Sequence, residues 1–331
     1  MLDNNQIVKN AAITTGSVTE GLLQPYQAQT FIRETFEKTV LGGLVRREMR
    51  RAKTGEINKI GIDSRILRRK VENIDANADG SAPTFNPETG QVTGYRAKPH
   101  FSQITYATKA VRLPWEVTEE TYRENIEGQG LEATITTLMT TRLGNDLEDI
   151  WLNGDEATPD THLNQHFLYI DDGWIKQISK GGHVTDAASH PSMNLNLFYD
   201  ALMALPNKYN NGNLRWIMSP RRAQEWELFL LNQGLERGAS FPDSLYNSPA
   251  AIPTIRSAYM PDDKILLTDP KNLIVINTYD VKIRKTNTDV RSIMEDKRFY
   301  VVHLDFDTII EELDATCIIE NVPMIRRQLW P

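Results

Sequence analysis

Residues 131–154 read LEATITTLMTTRLGNDLEDIWLNG, and this stretch sets the architecture. Leu131, Ile135, Leu138, Met139, Leu143, Leu147, Ile150 and Trp151 recur at three and four residues, the spacing of one helix face. Gly154 follows as a C-terminal stop. Roughly 23 residues of helix make a rod of about 34 Å. Gly144 inside it costs on the order of 1 kcal/mol relative to Ala, which points to close packing or a bend. The helical region is expected to begin as early as Trp115.

Toward the N-terminus the text changes character. Residues 56–71 and 95–113 are β-prone, with Ile60, Ile62 and Ile66 in the first run and Phe101, Ile104, Tyr106 and Val111 in the second. A polar connection rich in Asn, Asp, Gly and Pro joins them, so they predict a hairpin. Arms of about 15 residues would reach on the order of 50 Å. A two-stranded ribbon with so few large apolar residues is not stable alone and needs a surface to lie on. Before it, a helix is expected from Pro25 through Phe31, Ile32, Phe36 and Val40, and residues 1–24 form a small, polar arm.

Toward the C-terminus, short β-prone pieces are expected at 167–170 and 174–178. Asn194 is expected to cap a helix facing inward with Leu195, Phe198, Leu202 and Leu205. A strand at 214–218 leads into Ser219-Pro220, which opens a helix carrying Trp226, Phe229 and Leu230. Further strands are expected at 265–268, 272–285, 298–304 and 316–322. A long hairpin and long helix, then interleaved short helices and strands, describe an α+β fold.

The chain has 331 residues, 40% hydrophobic and 24% charged, with a net charge of -7 and one cysteine. These proportions are those of a globular protein and exclude a wholly disordered chain. One cysteine excludes an intramolecular disulfide framework. No apolar run approaches the roughly 18 residues of a membrane span, and Met1-Leu2-Asp3-Asn4-Asn5 lacks the features of a secretory signal. The net charge hides an asymmetry. Residues 46–70 hold ten basic residues against three acids, whereas residues 116–160 hold twelve acids against two bases. Solvated faces of opposite sign explain this; so does docking of one segment on the other, within a chain or between copies.

Candidate chemistry is thin. Gly128-Gln129-Gly130-Leu131-Glu132-Ala133 matches a loose dinucleotide pattern, but no strand precedes it and the surrounding glutamates would repel a pyrophosphate. His162 and His166 have the spacing of a helical zinc motif without its glutamate. Asp305, Asp307, Glu311, Glu312 and Asp314 crowd ten residues, as acid–base carboxylates do. Leu304, Phe306 and Ile310 alternate with some of them, which fits a half-buried strand with an acidic outer face. Cys317 reads as a buried small hydrophobe. No catalytic constellation stands out, so the chain is expected to be no enzyme, with no cofactor and no metal.

Several segments form a further pattern: Leu147-Glu148-Asp149-Ile150-Trp151-Leu152-Asn153-Gly154-Asp155, Trp216-Ile217-Met218-Ser219-Pro220-Arg221, Ala251-Ile252-Pro253-Thr254-Ile255, residues 262–273, and the closing strands of 298–322. In this order they resemble the major capsid proteins of tailed bacteriophages, whose Johnson fold is shared with encapsulins. Ala251 stands where that family usually has glycine. The resemblance covers roughly residues 25–325. It implies an N-terminal arm at 1–54, an extended E-loop hairpin at 55–112, a P domain at 113–159 and 271–311 built on the long spine helix, and an A domain at 160–270 and 312–331. The E-loop of this family lies over a neighbouring subunit. With the charge pattern, that places an inter-subunit contact on Arg65, Arg68, Arg69 and Lys70 against Glu119, Glu120, Glu124 and Glu127.

The function implied is that of a structural subunit. It would self-assemble through pentamers and hexamers into the icosahedral capsid of a tailed bacteriophage enclosing double-stranded DNA. DNA contact would be weak and non-specific given the acidic balance. A portal and a separate scaffolding protein are implied partners, with assembly in the host bacterial cytoplasm and no membrane. Two alternatives stand beside this one: an encapsulin-type nanocompartment shell protein, and a soluble hydrolase using the 305–314 carboxylates.

Overall fold

The computed structural model describes residues 39–61, 100–124, 131–190, 192–237, 248–279 and 281–323. The expected arm helix, apart from Thr39 and Val40, lies outside the described residues. So do the hairpin segment 62–99, with Arg65, Arg68, Arg69 and Lys70, and the stretch 125–130 with Glu127. The chain divides into two compact units, Thr54–Ala107 and the remainder.

The smaller unit is an antiparallel ribbon of β2 (Thr54–Gly61) and β3 (His100–Ala107), registered from Thr54 opposite Ala107 to Gly61 opposite His100. Gly55 is required there: a Cβ on it would lie 2.6 Å from the Tyr106 hydroxyl, whose ring is buried against the opposite strand. Ile57 faces Ile104, and Ile60 faces Phe101. The last two side chains are exposed within the chain.

In the larger unit, β1 (Arg46–Met49) and β4 (Lys109–Thr118) precede α1 (Glu119–Glu124) and α2 (Leu131–Asn153). Then come α3 (Gln165–Leu168), α4 (Trp174–Gly181), β5 (His183–Asp186), α5 (Leu195–Ala204), β6 (Arg215–Met218) and α6 (Pro220–Arg237). The C-terminal third holds β7 (Thr254–Arg256), β8 (Ile265–Thr268), β9 (Leu273–Asn277), β10 (Lys282–Thr286), α7 (Val290–Glu295), β11 (Lys297–Ile310) and β12 (Cys317–Glu320).

Two five-stranded sheets result. The first runs β1-β9-β11-β10, with β4 also on β11. β11 pairs with β4 from Lys297 to Phe306 and with β9 from Asp307 to Ile310. β9, between β1 and β11, is buried on both faces, which is why Leu273-Ile274-Val275-Ile276 reads as an unbroken apolar run. α2 closes this core with Leu143, Leu147, Ile150 and Trp151. The second sheet runs β5-β12-β8-β6-β7. There Phe198 packs edge-on against both Trp216 and Trp226, at 4.9 and 5.1 Å between ring centroids.

Several expectations need correction. Trp115 belongs to β4, not to a helix: Val111, Leu113 and Trp115 alternate inward with period two. Its ring stacks on Tyr300, its partner in register, at 5.2 Å. The expected second arm of the hairpin is two strands, broken at Thr108. Residues 167–170 and 174–178 fall largely in helices, because Trp174, Ile175 and Ile178 are buried at helical spacing behind the N-cap Gly173. The run 272–285 divides into β9 and β10. α5 is capped as expected, by Asn194 accepting from the Leu197 amide at 3.1 Å, but its buried face is Leu197, Phe198 and Ala201, with Leu195 outside. On α2 the expected stripe is buried from Leu143 onward, whereas Ile135 and Met139 are half-buried and Leu138 is exposed.

Candidate functional site

The end of α2 explains the Asn-Gly-Asp motif. Asn153 Nδ2 donates to Asp149 Oδ1 and to the Tyr259 carbonyl oxygen, both at 2.8 Å. Gly154 lies so close to the following loop that a Cβ on it would come within 2.3 Å of the Asp171 carbonyl oxygen. Its own carbonyl accepts from Gly173 N at 2.9 Å. Asp155 then takes the Ala157 amide at 2.7 Å and the Lys176 ammonium. One turn earlier, buried Glu148 accepts from Leu41 N at 3.2 Å and from the Ser257 hydroxyl, joining α2 to segments far away in sequence.

The Ser-Pro-Arg step is equally specific. The Ser219 hydroxyl accepts from Arg222 N at 3.3 Å and donates to Asp262 Oδ1 at 2.6 Å, so it caps α6 and ties it to the loop before β8. Arg221 reaches Asp262 from outside. Arg222 is fully buried, donating to the Val322 and Pro323 carbonyl oxygens at 3.1 and 3.0 Å and pairing with Glu225.

Of the carboxylates of 305–314, Asp314 is exposed and Glu311 and Glu312 are half-buried, but Asp305 and Asp307 face inward. Asp305 is fully buried. Its Oδ1 accepts from Thr278 N at 2.9 Å and its Oδ2 from the Thr108 hydroxyl at 3.2 Å, so it holds the break between β9 and β10. Asp307 is 7% exposed and lies beside Asp171, 4% exposed, from the loop after α3. Asp171 Oδ2 accepts from the Thr308 amide at 3.0 Å and faces the Thr308 hydroxyl at 3.1 Å. Burial first, and the Asp307 charge second, push the Asp171 carboxyl up to about 7. An open groove of about 610 Å³ runs along Thr108, Lys109, Val111, Arg112, Glu156 and Tyr169, crossed by a 2.8 Å ion pair between Lys109 and Glu156. Asp171, Asp305 and Asp307 do not line it, and so present no carboxylate pair to a substrate there.

Of the expected inter-subunit acids, Glu119 is engaged within its own chain. Its carboxylate takes the Arg298 guanidinium, with Nη2 to Oε2 at 3.1 Å and a second bond from Nε. Glu120 is exposed, and Glu124 ends α1. His162 Nδ1 accepts from Asn164 N at 3.2 Å in a turn, and the helix holding His166 has four residues. Cys317 is fully buried, which raises its thiol above the usual value. Among the described residues, no group of three or more His, Cys, Asp or Glu is placed to hold a metal ion, and no helix is long and apolar enough to cross a membrane.

No family model matches the chain. It is 26% identical over 336 residues to "Putative prophage capsid protein YqbE" of Bacillus subtilis (strain 168), covering 96% of this chain and 99% of that protein. Among solved structures, the procapsid of satellite phage P4 with its size determination protein superposes with a TM-score of 0.58 at 15% identity, over 89% of this chain and 99% of that one. The capsid of an empty GTA particle gives 0.59 at 9% identity, over 98% and 100%. The chain has the tailed-phage capsid fold. The same fold accounts for the likeness to the SrpI encapsulin of Synechococcus elongatus PCC 7942, with a TM-score of 0.51 at 13% identity over 100% of this chain and 99% of that one. Within the capsid fold, two of the motifs that carry the resemblance are places where distant segments are locked together: Asn153-Gly154-Asp155 in one, Ser219-Pro220-Arg221 in the other. Sequence reasoning missed Asp171, Arg222 and Glu148, since a single buried charge leaves no periodic trace.

Proposed function

We propose that this chain is the structural subunit of a tailed-phage or prophage capsid, self-assembling into an icosahedral shell around double-stranded DNA. The end-to-end match to the Bacillus subtilis prophage capsid protein carries this reading. The ribbon of β2 and β3, with Ile60 and Phe101 exposed, supports it, because so small a unit gains stability only by lying on another surface. The half-covered stripe of α2 supports it in the same way.

In this reading residues 1–54 are the arm and 55–112 the E-loop. Strands β9, β10 and β11, the part of β4 from residue 113 onward, and α2 belong to the P domain of 113–159 and 271–311, and β1 is the piece of the arm that pairs with its sheet. The sheet of β5 to β8 and β12 belongs to the A domain of 160–270 and 312–331. Arg65, Arg68, Arg69 and Lys70 dock on a neighbour's acidic segment, where Glu120, Glu124 and Glu127 are the principal acids. Pentamers and hexamers close through heterologous contacts. DNA is held weakly and without sequence preference, a portal and a separate scaffolding protein complete the particle, and assembly takes place in the host bacterial cytoplasm.

Electron microscopy of the purified protein tests the reading: shells, tubes or rings are expected. Concentrated, unaggregated protein that gives only small discrete particles would overturn it. The likeness to an encapsulin favours a second reading, a compartment shell. Nuclease-protected DNA inside the particles selects the phage capsid, and an enclosed enzyme selects the compartment.

A further inference from the structure

The dipeptide Asn-Gly occurs twice in the chain, at 153–154 and at 211–212, and the fold treats the two in opposite ways. In this pair the following backbone nitrogen can approach the side-chain amide carbon, because glycine has no Cβ to obstruct it. At the end of α2 the approach is barred. Asn153 is the last residue of the helix, whose side chains tilt toward its N-terminus and so away from the next nitrogen. Gly154 N is already engaged, donating to the Ile150 carbonyl oxygen at 2.9 Å. The Nδ2 group, which would have to leave, is gripped by Asp149 Oδ1 and the Tyr259 carbonyl oxygen, both at 2.8 Å.

Asn211 and Gly212 lie in the loop between α5 and β6, and both are exposed. Gly212 has φ 82°, and a Cβ on it would meet nothing within 4 Å. Among the described residues, no hydrogen bond holds Gly212 N or Asn211 Nδ2. The engaged atom is instead Asn211 Oδ1, which accepts from Asn213 N at 3.1 Å. Negative charge moves onto this oxygen when Cγ is attacked, so the Asn213 amide is aimed where it stabilises the intermediate. Arg215 Nη1 donates to the Gly212 carbonyl oxygen at 3.3 Å. Its positive charge beside the glycine favours loss of the proton from Gly212 N.

We infer that Asn211 deamidates spontaneously in the folded protein through a succinimide formed with Gly212, whereas the fold keeps Asn153 intact. Gly212 N gives its proton to solvent and bonds to Asn211 Cγ, closing a five-membered ring. The Cγ–Nδ2 bond then breaks, and the nitrogen takes up a proton and departs as ammonia. Water opens the ring at either carbonyl. Breaking the new bond to Cγ leaves an aspartyl residue, and breaking the bond to the main-chain carbonyl carbon leaves an isoaspartyl one. One water is consumed and one ammonia released, with no oxidant, metal or cofactor involved. Each event places a negative charge on a loop that carries Lys208 and leads into Arg215. The isoaspartyl product also lengthens the main chain just before β6. The inference stands on the two loops alone and does not depend on the shell reading.

The test keeps purified, folded protein in mildly alkaline buffer for days and follows both sites by mass spectrometry of tryptic peptides. The peptide Tyr209–Arg215 is expected to accumulate the deamidated form, part of it accepting a methyl group from protein isoaspartyl methyltransferase. Asn153 is expected to react about tenfold more slowly or less, since it must wait for the helix end to open. In urea the two rates should converge, because the dipeptides are then chemically alike. Asn211→Gln would need a larger ring and is expected to remove the acidic forms that build up on isoelectric focusing. Folded protein in which Asn211 stays intact, while the isolated peptide Tyr209–Arg215 deamidates, would overturn the site. Equal rates at Asn211 and Asn153 in folded protein, or a difference that persists in urea, would overturn the protection assigned to the fold.

Discussion

Asp171 and Asp307 lie side by side, both buried, and Thr308 supplies Asp171 Oδ2 with hydrogen bonds of 3.0 and 3.1 Å. The consequence is a pH dependence with a definite sign. The folded chain keeps a proton on Asp171 up to about pH 7, whereas the unfolded chain releases it near the ordinary value of 3.8. The folded state thus binds more protons across that interval, so stability falls as pH rises through it and levels off above it. At about 1.4 kcal/mol per pKa unit the loss amounts to a few kcal/mol. Asp171→Asn keeps an acceptor for Thr308 and removes the charge. Its melting temperature is expected to exceed the wild type's by several degrees at pH 8 and to match it near pH 4. Equal destabilisation at both pH values would show that the carboxylate is needed in its ionised form.

The close approach of Gly154 to Asp171 makes a second change severe. Gly154→Ala forces a Cβ to 2.3 Å from one carbonyl oxygen and 2.7 Å from another, both backbone atoms in packed segments. A loss of about 3 kcal/mol or more is expected, at the upper end for overpacking. Urea denaturation checks it, and a variant within 1 kcal/mol of wild type would mean that the loop yields easily.

Ala251, where the capsid family usually has glycine, sits at φ 61° next to Ala250 at φ 52°. Left-handed backbone costs an alanine roughly 1–2 kcal/mol, a strain that glycine escapes. Ala251→Gly is therefore expected to stabilise the protein by about 1 kcal/mol, less what glycine loses in unfolded-chain entropy. The midpoint of urea denaturation should rise, and a fall would show that the strain is relieved elsewhere.

Reversing Arg65, Arg68 and Arg69 to Glu tests the electrostatic clamp between copies. Sedimentation velocity is expected to show the variant unassembled while its circular dichroism matches wild type. Assembly at the wild-type level would refute the clamp. Because Glu119 is bound to Arg298, charge reversal at Glu120 should disturb assembly more than it disturbs the fold.

What the sequence disclosed and what it hid follow from periodicity. α2 and α6 were legible because buried residues recur at helical spacing and β8 because it opens on an unbroken apolar run, and Asn194 and Ser219-Pro220 mark helix starts with side chains suited to capping. Trp115 misled because a strand feeding directly into a short helix shows an apolar pattern without a break. Asp305 and Asp307 misled because alternation with Leu304 and Phe306 implies an outward face. In fact β11 is covered on both sides there: Asp305 is held by Thr278 and Thr108, and Asp307 is buried beside Asp171. The candidate inter-subunit acids were legible as charge, but nothing in the text separates Glu119, bound to Arg298, from exposed Glu120.

β11 carries a consequence for how the chain comes into being. It lies between β4 on one side and β9 and β10 on the other, and β1 joins the sheet by pairing with β9, from Arg46 opposite Ile274 to Met49 opposite Asn277. The first sheet is thus built from strands separated by most of the chain, and such long-range pairing makes folding slow. A nascent chain emerging from the ribosome has β1 and β4 in hand but no strand to receive them until its last third has been made. A prematurely terminated product lacks the central strand, not a dispensable edge, and leaves the first sheet unbuilt. A test of chain completeness is in this way written into strand order.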